Sequence, residues 1–230
     1  WLKLDNDGFY RVTEALSVEQ VETRRVASSK RAAMAAYPLN VAPRGLVILV
    51  NFTDVAFTTE KAEMDSMLTA VNYTRNYSYT YRGKQYNIRS QGSARQYFED
   101  VSFGQYNPHF DVVGPVTISK EHSYYGENNS KGRDSKPEYM IEEACKLADT
   151  ECNVDFSQYD NDGDGYVDFV FVIYAGYGEA DGGASTTIWP HAWNLYQAAG
   201  RRCEVDGKVI DLYACGNELD NFSKKHTGIG

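Results

Sequence analysis

Two stretches of the chain are almost wholly apolar. They are GLVILVNF, Gly45–Phe52, and DFVFVIYAG, Asp168–Gly176. Each is short, rich in β-branched residues and bounded by polar or glycine-containing sequence. That pattern predicts strands covered on both faces. Between them the texture alternates. TTEKAEMDSMLTAV predicts a helix capped by Thr58 or Thr59. YSYTYRGKQYNI predicts a hairpin with a two-residue turn at Arg82-Gly83, pairing Tyr79 with Tyr86 and Tyr77 with Ile88. The stripe Tyr77, Tyr79, Tyr81 then shares one face. Cross-strand packing explains it more economically than a sugar-binding platform.

SARQYFEDVSFGQYNP predicts a helix with a Ser93 cap, running to near Gly104. HFDVVGPVTIS predicts an edge or bulged strand, because Gly114-Pro115 interrupts it. KPEYMIEEACKLADTE places Tyr139, Met140, Ala144 and Leu147 at helical spacing behind Pro137. CEVDGKVIDLYAC predicts a last hairpin turning at Asp206-Gly207. Helices alternating with strands, two of them fully apolar, imply an α/β (α+β) domain of two or three layers around a mixed sheet.

Residues 1–44 differ. A short strand, a turn at Asn6-Asp7-Gly8 and more extended chain precede SVEQ, where Ser17 and Gln20 form a capping-box pattern. The Ala-rich, basic stretch after it has little to bury. Its Arg24-Arg25 and Lys30-Arg31 pairs suit trypsin-like cleavage, so 1–44 reads as a pro-segment remnant and linker. Residues 45–230 read as the domain proper.

Composition narrows the classes. In 230 residues, 42% hydrophobic and 24% charged content suits a globular chain. No apolar run is long enough to cross a bilayer. A net charge of −9 opposes nonspecific nucleic-acid binding. The four cysteines fit buried free thiols at least as well as bridges. Cys145 and Cys152, on one predicted helix, would stand about 10 Å apart. No G-x-S-x-G elbow suggests a serine hydrolase.

The chemistry concentrates in YDNDGDGYVD. Counted from Asp160, carboxylates fall at positions 1, 3, 5 and 9: Asp160, Asp162, Asp164 and Asp168. Gly165 stands at position 6, and Tyr166 at position 7 would offer its carbonyl oxygen. This is the oxygen-ligand order of a calcium loop. Position 12 is Phe171 rather than a bidentate Glu, and a strand rather than a helix follows. The expectation is therefore a static, structural Ca²⁺ site and not a calcium sensor.

Taken in order, GLVILVNFTDVAF, SARQYFEDVSFGQYNPHFDVVGPVTIS, YYGEN, DFSQYDNDGDGYVDFVFVIYAGYGEA and IWPHAW resemble the immune-inhibitor-A-like family of secreted bacterial metalloproteases, of the zincin class. The resemblance spans about 45–230 and implies a zincin-like N-terminal subdomain. It also implies secretion or a cell-surface or periplasmic location, and peptide substrates. In that family zinc is held by an H-E-x-x-H helix. His109, His122, His191 and His226 are the only histidines here, and no two have that spacing. The resemblance thus implies part of a metalloendopeptidase with no catalytic residue in this chain. Zinc would belong to the complete protein, whose C-terminal part would be a partner. The family's substrate-pairing edge strand maps best onto Val209–Cys215, giving Val209, Asp211, Tyr213 and Cys215 as expected substrate contacts. His191 reads as a structural residue of WPHAW. Cys215 as a zinc-blocking thiol is disfavoured, because 1–44 contain no Cys. The competing class is a non-catalytic, calcium-stabilised extracellular module binding protein or glycan.

Overall fold

The computed structural model describes residues 42–200 and 202–224, together with the backbone of 2–4 and 10–12. The chain divides into two units, Trp1–Ala36 and Tyr37–Gly230. In the first, β1 (Leu2–Leu4) pairs antiparallel with β2 (Tyr10–Val12); the turn expected at Asn6-Asp7-Gly8 lies outside the described residues. The helix expected from Ser17 lies outside the described residues.

The second unit is built on a five-stranded sheet. Its strands are β3 (Arg44–Asn51), β6 (His109–Thr117), β8 (Val170–Tyr177), β9 (His191–Asn194) and β12 (Leu212–Leu219). Their order is β6-β3-β8-β12-β9. The first four run parallel and β9 runs antiparallel to β12. Both apolar runs are central, as their composition demands: a parallel strand with neighbours on both sides is covered above and below.

The pleat sends alternate residues to two cores. Leu46, Ile48 and Val50 of β3, Val172 and Tyr174 of β8, and Tyr213 and Cys215 of β12 meet Met140, Ile141, Ala144 and Ala148 of α4 (Pro137–Cys152) on one face. Val47, Leu49 and Ile173 meet Met64, Met67 and Leu68 of α1 (Lys61–Thr69) and Ala94 of α2 (Ala94–Val101) on the other. The result is three layers. Pro137 starts α4 where no N–H partner is required, and Asn153 ends it with a left-handed φ of 54°. A short helix, α3 (His122–Gly126), precedes it, and α5 (Leu195–Ala199) follows β9.

Between α1 and α2 lies the tyrosine hairpin, β4 (Thr74–Tyr81) and β5 (Lys84–Gln91). Its register is the expected one, Tyr79↔Tyr86 and Tyr77↔Ile88. Arg82 and Gly83 both take positive φ, 49° and 76°, the requirement of the two-residue turn that matches strand twist. Two other expectations change. α2 ends at Val101, with the chain turning before Gly104. The cap of α1 is Glu60 and not Thr58 or Thr59, because those threonines are engaged elsewhere.

A third, small sheet joins β10 (Cys203–Val205), β11 (Lys208–Ile210) and β7 (Tyr166–Val167). The predicted last hairpin is present across Asp206-Gly207, but only as β10 and β11; the chain then leaves it to enter the main sheet as β12. None of the four cysteines is in a disulfide bond.

Candidate metal centre and sheet edge

The acidic loop is tied down at both ends. Before it, Asn161 exchanges two hydrogen bonds with the first residue of β3: Arg44 N donates to Asn161 Oδ1 at 2.9 Å, and Asn161 Nδ2 donates to Arg44 O at 3.0 Å. After it, β7 runs parallel to β11. Gly165, at φ 92°, makes the sharp turn that leads into β7, a conformation costly for any residue with a Cβ.

Within the loop, Asp160, Asp162 and Asp164 each bring a carboxylate oxygen within 4.8 Å of the others. Asp160 is the anchor, its side chain only 1% exposed. Its Oδ2 accepts from Lys208 Nζ at 2.7 Å and from Gly165 N at 3.0 Å. Its Oδ1 is buried with no partner. Among the described residues only Asn128 Oδ1 and Asp134 Oδ1 share that condition. Burial pushes the Asp160 carboxyl up, but the Lys208 bond and charge and the loop N–H groups outweigh it, so the group stays below the ordinary carboxylate range. Asp168 is raised by burial, with the charges of Asp162 and Asp160 adding to it. One Asp168 oxygen, Oδ2, accepts from Asn161 N at 2.7 Å and Nδ2 at 2.8 Å.

Three of the expected ligands therefore converge, and Asp168 shares its carboxylate with the loop's own backbone. Tyr166 N donates to Asp164 Oδ1 at 2.8 Å, which fixes the peptide beside the cluster. A buried carboxylate with one orphaned oxygen, grouped with two exposed carboxylates, is chemically suited to a hard cation. Sequence reading missed Asn161 and Lys208. Lys208 could not be found from local pattern, since β11 reaches the loop only through tertiary pairing.

The edge strand expected at Val209–Cys215 is not at an edge. Val209 sits between Glu204 and Tyr166, Tyr213 between Val170 and Trp193, and Cys215 between Val172 and His191. Asp211 is taken up by α5: its carbonyl accepts from Leu195 N and its Oδ1 from Tyr196 N. The sheet ends instead at β9, from the WPHAW segment, which covers the flank of β12 that the expectation left open.

His191 is structural in this setting. Its Nδ1 donates to Trp189 O at 2.7 Å, and Nε2 accepts from Tyr213 Oη at 2.9 Å. Cys215 Sγ lies 3.4 Å from the same Nδ1, yet burial pushes the thiol up to about 12. With its hydrogen directed at the Trp189 carbonyl, Nδ1 has no lone pair to take the thiol proton, and burial disfavours the thiolate. His122 is stacked on Phe52 at 4.2 Å and accepts from Ile188 N; burial lowers it to about 4. His109 stands on the opposite edge, beside Asp111. No cluster of these histidines exists among the described residues, and zinc does not fit them.

One buried carboxylate went unnoticed in the sequence. Glu218 is fully buried at the end of β12. Its Oε1 accepts from Thr58 N and Oγ1, both at 2.8 Å, and from Thr59 N at 2.6 Å; Oε2 accepts from Gly176 N at 3.1 Å. It joins β12, β8 and the loop leading into α1.

A family-wide sequence model described as "Immune inhibitor A peptidase M6, catalytic domain" matches residues 40–217. The chain belongs to the immune inhibitor A family of M6 metallopeptidases. A relative named Immune inhibitor A, from Bacillus thuringiensis subsp. alesti, is 26% identical over 234 residues, covering 80% of this chain and 34% of the relative. The chain thus spans about a third of that M6 protein. No helix among the described residues is long and apolar enough to cross a membrane.

Proposed function

We propose that this chain is the leading part of the catalytic domain of a secreted, calcium-stabilised zinc metalloendopeptidase, and that it is inactive by itself. The match to the M6 catalytic domain over 40–217 carries this reading. The mixed sheet ending in one antiparallel strand supports it, because such an edge can pair with the backbone of an extended peptide. On this reading β9 takes the substrate-pairing role expected of Val209–Cys215. Residues 1–44 serve as pro-segment remnant.

Zinc, when held by the complete protein, supplies Lewis-acid activation of a water for peptide hydrolysis. The residues here supply scaffold, sheet edge and calcium loop. A largely apolar groove of about 640 Å³ lies over β8 and β12, lined by Phe171, Leu212, Ala214 and Phe98 of α2. Parallel strands are normally covered on both faces, so this groove suits a further element of the complete protein.

Asp160, Asp162, Asp164 and the Tyr166 carbonyl, with Asp168, would hold the calcium. A bound calcium would neutralise the three close carboxylates of Asp160, Asp162 and Asp164. Casein digestion by the longest natural form tests the reading. Activity should be lost to a zinc chelator and restored by zinc, while residues 1–230 alone show none. Chelator-insensitive digestion, or none by the full protein after pro-segment removal, refutes it.

A further inference from the structure

The hairpin β4–β5 is chemically unlike the rest of the chain. Residues 74–91 contain Arg75, Arg82, Lys84 and Arg89 and no Asp or Glu, in a protein whose net charge is −9. It forms a separate two-stranded sheet, and neither strand packs extensively on another named element. Each eight-residue strand leaves its outer backbone edge unpaired by any strand among the described residues.

One face carries a column of rings. Tyr77 stacks on Tyr79 at 6.3 Å, and Tyr79 on Tyr86 at 5.3 Å. The column is closed at both ends by cations, with Arg75 over Tyr77 at 4.4 Å and Lys84 over Tyr86 at 5.1 Å. Arg82 caps Tyr81, whose other contact is Phe222 at 5.1 Å. The ring faces are thus already occupied. Stacking of nucleobases needs open aromatic faces, and sugar-ring stacking needs the same, so neither is what this surface offers. It offers unpaired strand edges, phenol hydroxyls and four positive charges.

We propose that this hairpin is a docking site for an acidic, extended segment of a protein, which adds as a strand to its edge and sets its carboxylates against these cations. Charge of one sign on an exposed edge repels the same edge of a second copy. It attracts a strand of opposite charge, and backbone pairing supplies the geometry. For a peptidase the site would enrich acidic protein substrates away from the sheet edge β9. Calling the partner a substrate rests on the reading above; the binding does not.

The test is direct binding, independent of catalysis. A fluorescein-labelled octapeptide alternating Glu and Val is titrated against this chain and followed by anisotropy. The Gln-Val counterpart should bind at least about tenfold more weakly, and half-molar salt should abolish the difference. A Glu-Pro counterpart, which keeps the charge but cannot pair as a strand, should lose a similar factor. Arg82→Gln, Lys84→Gln and Arg89→Gln together should reduce Glu-Val binding to the Gln-Val level, with an unchanged melting temperature. Equal binding of the Glu and Gln peptides overturns the proposal whatever the variant does, and so does equal binding of Glu-Pro. Binding of heparin or oligothymidylate without binding of Glu-Val also overturns it. Failure of the casein assay leaves this result standing.

Discussion

Glu218 and Asp160 both keep their carboxylates out of solvent, and the fold satisfies them differently. Glu218 has no cation beside it among its hydrogen-bond partners; three backbone N–H groups and one hydroxyl meet its two oxygens. Asp160 has Lys208 and one N–H on a single oxygen, while the other has nothing. Oriented amide dipoles can hold a buried charge as well as an ion pair does, provided every lone pair is used. The first site is complete within the fold. The second leaves one oxygen open, which is why the calcium proposal rests on Asp160 more than on the number of acids around it.

Breaking the complete site should have the largest effect. Glu218→Ala strands four donors, and a loss on the order of 4 kcal/mol is expected in urea unfolding. Glu218→Gln keeps the shape and should cost clearly less. A result within about 0.5 kcal/mol of the parent for the Ala variant would show that water replaces the carboxylate.

Acid tests a neighbouring buried group. His122 is held neutral, its value lowered by burial from 6.5 to about 4, with Asp54 opposing. The unfolded chain takes the proton first. The stabilisation is therefore full above about pH 6.5 and is lost as pH falls towards 4, by on the order of 3 kcal/mol. His122→Gln should flatten that part of the stability–pH curve. An unchanged slope would place the proton uptake elsewhere.

The incomplete site should respond to calcium. At a hundredfold excess over Kd, calcium adds about 2.7 kcal/mol, or roughly 5–10 °C in Tm for a domain of this size. Asp162→Ala with Asp164→Ala should remove that difference between calcium and chelator; Glu218→Ala should not. The smallest effect sharpens the contrast further. Lys208→Met removes the one cation Asp160 has, so Tm in chelator should drop by a few degrees while the calcium-induced rise grows. If calcium protects both proteins equally, Lys208 and the ion do not share the Asp160 charge.

Local features were legible in the sequence. The two apolar runs, the Tyr79↔Tyr86 register, the Ser93 cap and the order of acids in the loop each depend on residues within a few positions. The misplaced features are long-range. Thr58 and Thr59 look like helix caps until Glu218 arrives from 160 and 159 residues away. Val209–Cys215 looks like an edge until WPHAW lies down beside it. Lys208 looks like a solvated charge on a hairpin until β11 pairs with β7. α3 carries no strong pattern, because His122 is held by ring stacking on Phe52 and not by helical periodicity. The candidate metal ligands were therefore readable, whereas the groups that position and balance them were not.

The Glu218 junction also bears on how the chain can be made. The loop before α1 emerges early in synthesis, yet the carboxylate that satisfies its N–H groups is among the last residues of the sheet to leave the ribosome. Until β12 inserts between β8 and β9, the Thr58 and Thr59 N–H groups of that loop lack their acceptor. Deletion series from the C-terminal side should therefore show a sharp threshold: pieces retaining Glu218 resist protease, and pieces ending just before it are digested from within Phe52–Glu60.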